Sequence, residues 1–372
     1  MSMRAHVESG LARPLITPTY SRMIAKPLSF ALAVAVFVAG CDGISGRPAE
    51  RIVVFNAGSL AIPVRAALDS FAAREHVTIA QENAGSLETA RKLTELGHIP
   101  DVIALADYEV FPQYLMPAQV DWYLNFAHNR MVLAYTPKSR FADEITPENW
   151  WQIVQRPGVQ VGRADPNLDP NGYRTLLTMQ LAEKYYRAPR LYDSLLAHAP
   201  RNNVRPKEAD LVGLVQAGEM DYIWSYESLA SAAGLKFVQL PAAIDLSSPA
   251  DSARYATAQV RVRGKTPGDS VTFRGQPIVY ALSIPKKAPH PDLAERFVAY
   301  LISGEGARIM RATGLDVLDA PLVVGSNAPA AVAAAARRAD GPADSVADSV
   351  ADSVADSSTA SDSAARADGT AP

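Results

Sequence analysis

Residues 51–106 read RIVVFNAGSLAIPVRAALDSFAAREHVTIAQENAGSLETARKLTELGHIPDVIALA, and their pattern decides how the chain folds. Ile52-Val-Val-Phe55 is a strand candidate of β-branched and aromatic residues. A Gly-Ser turn follows, then a helix over residues 63–74, in which Val64, Leu68 and Phe71 fall at i, i+4 and i+7. Pro63 suits the first turn of that helix. Val77-Thr-Ile-Ala80 repeats the strand pattern, and Asn83-Ala-Gly-Ser86 leads into a second helix over residues 87–96, stopped by Gly97. Val102-Ile-Ala-Leu105 is the third strand. Strand, helix, strand, helix, strand implies a parallel sheet covered by helices, with ligand sites at the carboxyl ends of the strands. Both Gly-Ser turns lie at such ends.

Further along, Met131-Val-Leu-Ala-Tyr135 and Pro277-Ile-Val-Tyr-Ala-Leu-Ser283 are β-like runs about 145 residues apart. They read as two crossover strands bracketing a second αβ region. Helices over residues 293–302 and 307–311 then return the chain to the first region. The expected division is lobe 1 from residues 51–130 plus 281–325, and lobe 2 from 131–280. Two lobes with a cleft between them form a binding architecture, and hinge closure is its natural motion.

The two ends carry a different message. After Lys26, the uncharged apolar run Pro27 to Gly40 is shorter than the roughly 20 residues of a membrane span, and it ends at Val38-Ala39-Gly40-Cys41. Residues 1–41 therefore read as a lipoprotein export signal, with Cys41, the only cysteine, as the lipidated first residue of the mature protein. An anchor of that kind holds a protein at a membrane surface without a transmembrane helix. Residues 327–372 turn to Ala, Arg, Asp and Ser, with Ala-Asp-Ser-Val repeated from Ala343 to Asp356. They read as a disordered tail, a short acidic helix being the other reading.

A net charge of −3 and a pI of about 6.1 provide no basic face, which excludes nucleic acid as a partner. There is no G-x-S-x-G elbow, H-E-x-x-H pair or phosphate loop, and the six histidines are scattered singly. Ser59 has no base assigned to it by the sequence, so a hydrolase is disfavoured. No metal or cofactor site is expected, and the chain is read as a binding protein rather than an enzyme.

Four segments carry candidate chemistry. Gly58-Ser59 and Gly85-Ser86 share an Ala-Gly-Ser-Leu context, placing two hydroxyls and two helix N-termini at one sheet edge. Helix N-termini hold anions through free N–H groups and the helix dipole, although a serine there is also a common N-cap. Asp165-Pro-Asn-Leu-Asp169-Pro-Asn-Gly-Tyr-Arg174 starts a helix, with Asp169 as cap or ligand and Pro170 in the first turn. Asp221-Tyr-Ile-Trp-Ser225-Tyr-Glu227-Ser-Leu-Ala230 is a strand running into a helix, where the dipole favours an acid such as Glu227.

Taken together, residues 53–311 resemble the archaeal-type molybdate/tungstate-binding proteins of ABC transporters, within the type II periplasmic-binding-protein superfamily. The pieces that carry the resemblance are Asn56-Ala-Gly-Ser-Leu60, Gly85-Ser86 with Arg91-Lys92-Leu-Thr-Glu-Leu-Gly97, and Asp101-Val-Ile-Ala-Leu-Ala-Asp107-Tyr108. They continue with Asp121-Trp-Tyr123, Phe126-Ala127, Asn129, Asp169-Pro-Asn-Gly-Tyr-Arg174 and Pro277-Ile-Val-Tyr280. The resemblance implies an α/β fold of two lobes, each a central sheet flanked by helices, joined by two crossover strands. It implies molybdate or tungstate held by Ser59, preceded by Gly58, and Ser86, by backbone groups of Asp169, Pro170 and Asn171, and by two carboxylates. It also implies a monomer that delivers the ion to a membrane permease.

Asp169 matches the first of those acids. The family's second, a glutamate, falls on Ser225, with Glu227 two residues later as its expected replacement. An aspartate facing a dianion is repelled at low effective dielectric unless something offsets the charge. Molybdenum and tungsten accept further oxygen donors, whereas sulfur in sulfate does not. An Asp169 facing the ligand favours molybdate or tungstate, or a protonated oxyanion such as hydrogen phosphate. An Asp169 that only caps its helix readmits sulfate. A structural lipoprotein with a degenerate cleft is the remaining alternative.

Overall fold

The computed structural model of the chain describes residues 50–266 and 268–338. The expected export signal at 1–41, with Cys41, lies outside the described residues. So does most of the expected tail.

Among the described residues, fourteen strands run in chain order: β1 (Arg51–Ala57), β2 (Thr78–Ala84), β3 (Val102–Leu105), β4 (Trp122–Asn129), β5 (Met131–Tyr135), β6 (Val161–Ala164) and β7 (Val204–Arg205). Then come β8 (Tyr222–Tyr226), β9 (Lys236–Gln239), β10 (Gln259–Arg263), β11 (Ser270–Arg274), β12 (Ile278–Ser283), β13 (Asp316–Gly325) and β14 (Arg337–Arg338). They form a seven-stranded sheet in the order β14-β13-β4-β12-β3-β1-β2, a five-stranded sheet in the order β7-β6-β8-β5-β9, and the hairpin β10-β11. The fold is α/β, with two sheet-bearing lobes.

β1 is buried along most of its length, as a strand covered on both faces is, and it pairs in parallel with β2 and β3. The larger sheet is mixed rather than wholly parallel. β12, returning from the second lobe, enters antiparallel between β3 and β4, and β13 runs antiparallel to β4. The chain leaves the larger sheet at Asn129, the end of β4, and enters the smaller at Met131, so Arg130 is the crossing point.

Helix α1 (Ala61–Glu75) buries Val64, Ala67, Leu68 and Phe71 at the spacing of one helical face, and ends where His76 turns left-handed at φ 56°. The Phe71 ring meets Phe297 edge-on at 5.1 Å, which docks the returning helix Pro291–Ile302 against the first lobe. In the second lobe, the helix Ala209–Ala217 packs Leu211 and Val215 with Val132 of β5 and Ile223 of β8.

The stretch from residue 327 needs correcting. A helix spans Ala330–Ala335, Val332 within it is fully buried, and β14 pairs in parallel with β13. Alanine has the highest helix propensity, and one valine suffices to anchor the turn against the helix Pro291–Ile302, which compositional reading overlooked. Among the described residues, no helix is long and apolar enough to cross a membrane.

Candidate functional site

Ala57 of β1 pairs with Ala84 of β2, and Ser59 and Ser86 each lie two residues beyond that pair. Both serines are thereby placed at the same edge of the larger sheet, and both are buried. Neither caps a helix: α1 follows a 3-10 turn at Gly58–Leu60, and helix α2 (Ser86–Thr94) has Gly85 at its cap position without a side-chain bond. Instead, each hydroxyl oxygen accepts. Tyr280 on β12 donates its phenol to Ser59 Oγ at 2.9 Å, and its own oxygen accepts from Asn129 Nδ2 at 2.9 Å. The Ala106 amide donates to Ser86 Oγ at 3.0 Å. A serine hydroxyl has one proton to donate, and among the described residues neither serine spends it on a protein acceptor.

The second lobe closes over this edge. The Leu168 carbonyl accepts from the amides of Leu87 and Glu88 at 3.1 and 3.2 Å, so a peptide group of lobe 2 caps α2. Arg91 reaches back to the carbonyls of Asn167 (2.6 Å) and Arg263 (2.8 Å). Lys207 donates to the Asn83 carbonyl at 3.2 Å. Gly85 is required at its position, since a Cβ there would stand 2.2 Å from the Leu168 oxygen.

Asp169 caps the helix Pro170–Tyr185, its Oδ1 accepting from the Asn171 amide at 2.8 Å. Its Oδ2 accepts from the Glu208 amide at 3.0 Å. Both carboxylate oxygens are therefore engaged by backbone, and the Asn171 amide expected to hold a ligand is held by Asp169. Pro170 occupies the first helical position, where it needs no donor. The Asn171 side chain is fully buried, and among the described residues neither Oδ1 nor Nδ2 has a protein partner.

The two acids near β8 part company. Glu227 opens the helix Glu227–Ala232 and turns outward, where it is partly exposed and pairs with Arg130 at 3.1 Å. The helix start redirects its side chain away from Ser225, so the structure does not bring it to the serine it was expected to stand in for. Glu208 arrives instead, from the turn before the helix Ala209–Ala217. Its Oε1 accepts from Ser225 Oγ at 2.6 Å and from the Tyr226 amide at 2.5 Å, while Oε2 is buried without a partner among the described residues. No local pattern marked it. An acid before an apolar helical run reads as an ordinary first-turn residue, and its meeting with Ser225 is a tertiary event.

Beneath these groups Arg174 is fully buried. It pairs with Asp107 at 3.0 Å and donates to the Ala106 carbonyl (2.6 Å) and Tyr226 hydroxyl (2.8 Å). Burial, the largest single effect, would lower its pKa, but Asp107 together with Tyr226 and Tyr173 outweighs it and raises the pKa. Burial pushes the Asp169 carboxyl up to about 6, against the lowering effect of its two amide bonds. Burial, and then the neighbouring Asp169 charge, raise Glu208 well above its ordinary 4.5.

An acid whose folded pKa is raised stabilises the fold fully below its ordinary value, and that stability is lost as pH rises through the raised value. We therefore expect Glu208→Gln, which keeps both Oε1 bonds and cannot ionise, to gain stability over the wild type as pH rises from 5 to 8. The gain should be on the order of 1–3 kcal/mol, read by urea unfolding at each pH. A difference that stays flat with pH would show that Glu208 ionises as freely folded as unfolded.

Among the described residues, no cluster of three or more His, Cys, Asp or Glu side chains is placed to hold a metal ion. What lines the seam between the lobes is a set of hydrogen-bond donors, two hydroxyls and a carboxamide, with two acids and the buried Arg174 guanidinium. That is a two-lobed solute-binding protein of the type II periplasmic-binding fold. Residues 52–316 match the family of bacterial extracellular solute-binding proteins, and the chain belongs to it. The family comprises binding proteins rather than enzymes and acts outside the cytoplasm.

An uncharacterized solute-binding protein of Petrotoga mobilis is 44% identical over 287 residues, covering 77% of this chain and 89% of its own. The molybdate/tungstate-binding protein WtpA of Pyrococcus abyssi is 35% identical over 329 residues, covering 79% of this chain and 94% of its own. Among solved structures, the sulfate-binding protein SubI of Mycobacterium tuberculosis superposes with a TM-score of 0.52 at 14% identity, covering 77% of this chain and 90% of SubI. That last likeness is one of fold alone.

Proposed function

We propose that the protein captures molybdate or tungstate at the outer face of the membrane and hands it to the permease of an ABC importer. The observation that carries this is the pair of serines at matched strand ends. Their oxygens are occupied by Tyr280 and the Ala106 amide, so their protons are free for an anion lying between the lobes. Asn171 Nδ2 is a third donor in search of an acceptor. The charge is met by polar donors and the buried Arg174 instead of a basic surface. The likeness to a relative named for molybdate and tungstate supports the choice of ion. In this reading Cys41 carries the lipid, the protein works as a monomer, and the two lobes are those of the larger and the smaller sheet, the second boundary falling at Ile278, where β12 joins the larger sheet, rather than at residue 281.

Sulfate is the second reading, because Asp169 caps its helix with both oxygens engaged. An acid committed to backbone amides rejects sulfate less strongly than one aimed at the ion. Titration calorimetry of the chain from Asp42 onward separates the two. Molybdate and tungstate are expected to bind at least about 100-fold more tightly than sulfate or phosphate, a difference of roughly 2.7 kcal/mol. Equal affinities would turn the assignment to sulfate, and no heat with any of the four would overturn oxyanion binding itself.

A further inference from the structure

We infer that Glu208 touches the bound oxyanion through Oε2, with Ser225 and the Tyr226 amide holding the carboxyl in place. The inference rests on the oxyanion reading and deepens it. It moves the second acid of the site to a position that neither sequence proximity nor the resemblance indicates.

Four observations converge on it. Oε1 is fixed by two donors, Ser225 Oγ and Tyr226 N, so the orientation of the carboxyl is determined and Oε2 must point elsewhere. Oε2 is buried and meets no hydrogen-bond partner among the described residues, which is costly for a polar atom unless a ligand supplies one. Residue 208 also lies at the closing seam. A Cβ on Gly58 would meet Ala209 Cβ at 3.2 Å and Lys207 Cδ at 3.8 Å, so its two chain neighbours press on the residue preceding Ser59. Finally, the Glu208 charge helps to raise the phenol pKa of Tyr280, the residue that holds Ser59, so the acid and that hydroxyl share one electrostatic neighbourhood.

The chemistry follows from the charges packed around the carboxyl. Asp169 lies on the loop before the helix Pro170–Tyr185, Arg174 on that helix, Tyr226 on β8 and Tyr280 on β12. Burial, and then the adjacent Asp169, shift the Glu208 carboxyl toward its neutral form, and a protonated Oε2 is a donor to an oxygen of a fully deprotonated tetrahedral dianion. Because Ser225 Oγ and Glu208 Oε1 touch, side chains at 208 and 225 address the same point in space. A carboxyl planted at 225, with a serine at 208, returns an acid to nearly the same place. Ser225 is then a positioning residue and not a ligand.

The test uses the whole mature chain with molybdate as probe, measuring affinity by calorimetry and the unliganded melting temperature in parallel. Glu208→Ala is expected to weaken binding at least about 100-fold, while the unliganded melting temperature stays level or rises, since a buried acid beside Asp169 is removed. Glu208→Gln, which retains a donor, should bind within about tenfold of wild type. The exchange Glu208→Ser with Ser225→Glu should recover most of what Glu208→Ser alone loses, and Glu227→Gln should change nothing.

Wild-type affinity in Glu208→Ala would overturn the inference. So would a loss of binding that merely tracks a lower unliganded melting temperature. Should Glu208→Ala not fold, the Gln variant and the exchange decide, and failure of both to bind overturns the inference. A wild-type chain that ignores molybdate would defeat the oxyanion reading instead, which is a distinguishable result.

Discussion

Gly85→Ala is expected to leave the unliganded protein folded and to weaken oxyanion binding by at least about 100-fold. Gly85 has φ −65° and ψ 146°, a conformation open to any residue, so alanine meets no backbone strain within its own lobe. What it meets is lobe 2. The added carbon would lie 2.2 Å from the Leu168 oxygen, 2.7 Å from its carbonyl carbon and 3.1 Å from Asp169 Cα. All three are backbone atoms, which cannot rotate away as a side-chain tip would. Relief comes only by parting the lobes, which breaks the bonds from the Leu87 and Glu88 amides to the Leu168 carbonyl. A ligand enclosed by closure then pays for a conformation the variant cannot reach. Small-angle scattering gives the most direct check. With molybdate present the wild type should be as compact as the closed structure, and the variant should stay more extended. A variant that is equally compact and binds normally would mean that the seam between Gly85 and Leu168 plays no part in capture.

How much of this was legible beforehand depends on how local each feature is. The first three strands and two helices follow from short-range periodicity and turn residues, and they appear within a few residues of where the sequence puts them. The serine pair was legible because Ala-Gly-Ser-Leu occurs twice, and two copies at the ends of neighbouring strands must share an edge. The groups that give the serines their meaning were not. Tyr280 lies 221 residues from Ser59, and the Leu168 carbonyl that caps α2 has no side-chain identity to read. The second acid shows the same limit. Glu227 was chosen because it stands two residues from Ser225, but the helix that starts there turns it toward Arg130, while Glu208 reaches the serine from another element. Sequence distance is a poor guide to a site assembled from four separate elements. Composition misled at residues 330–335 for the opposite reason, since an alanine-rich run can look featureless and still fold as a helix.

Arg174→Met is expected to cost about 3–5 kcal/mol, the range for removing one partner of a buried ion pair. The guanidinium joins both lobes. It stands on the helix Pro170–Tyr185 and bonds Tyr226 on its own side, and it pairs with Asp107 and donates to the Ala106 carbonyl across the cleft. Tyr173, one residue earlier, donates its hydroxyl to the same Asp107 carboxylate. Methionine fills much of the volume, so packing changes little. Asp107, however, remains buried without its counter-ion, and Asp169 and Glu208 lose a buried cation that favours their charged forms. The penalty should therefore appear both in urea unfolding and in affinity for a dianion. The companion change Asp107→Leu tests the cause. A buried pair replaced by apolar residues is often nearly neutral, so the double variant should recover much of the loss, with a coupling energy on the order of 1–3 kcal/mol. Two single losses that simply add would show that Arg174 acts through its bonds to Ala106 and Tyr226 alone. A single loss below about 1 kcal/mol, the range of a solvent-exposed pair, would mean that the pair is hydrated and the lobes stand open in the unliganded protein.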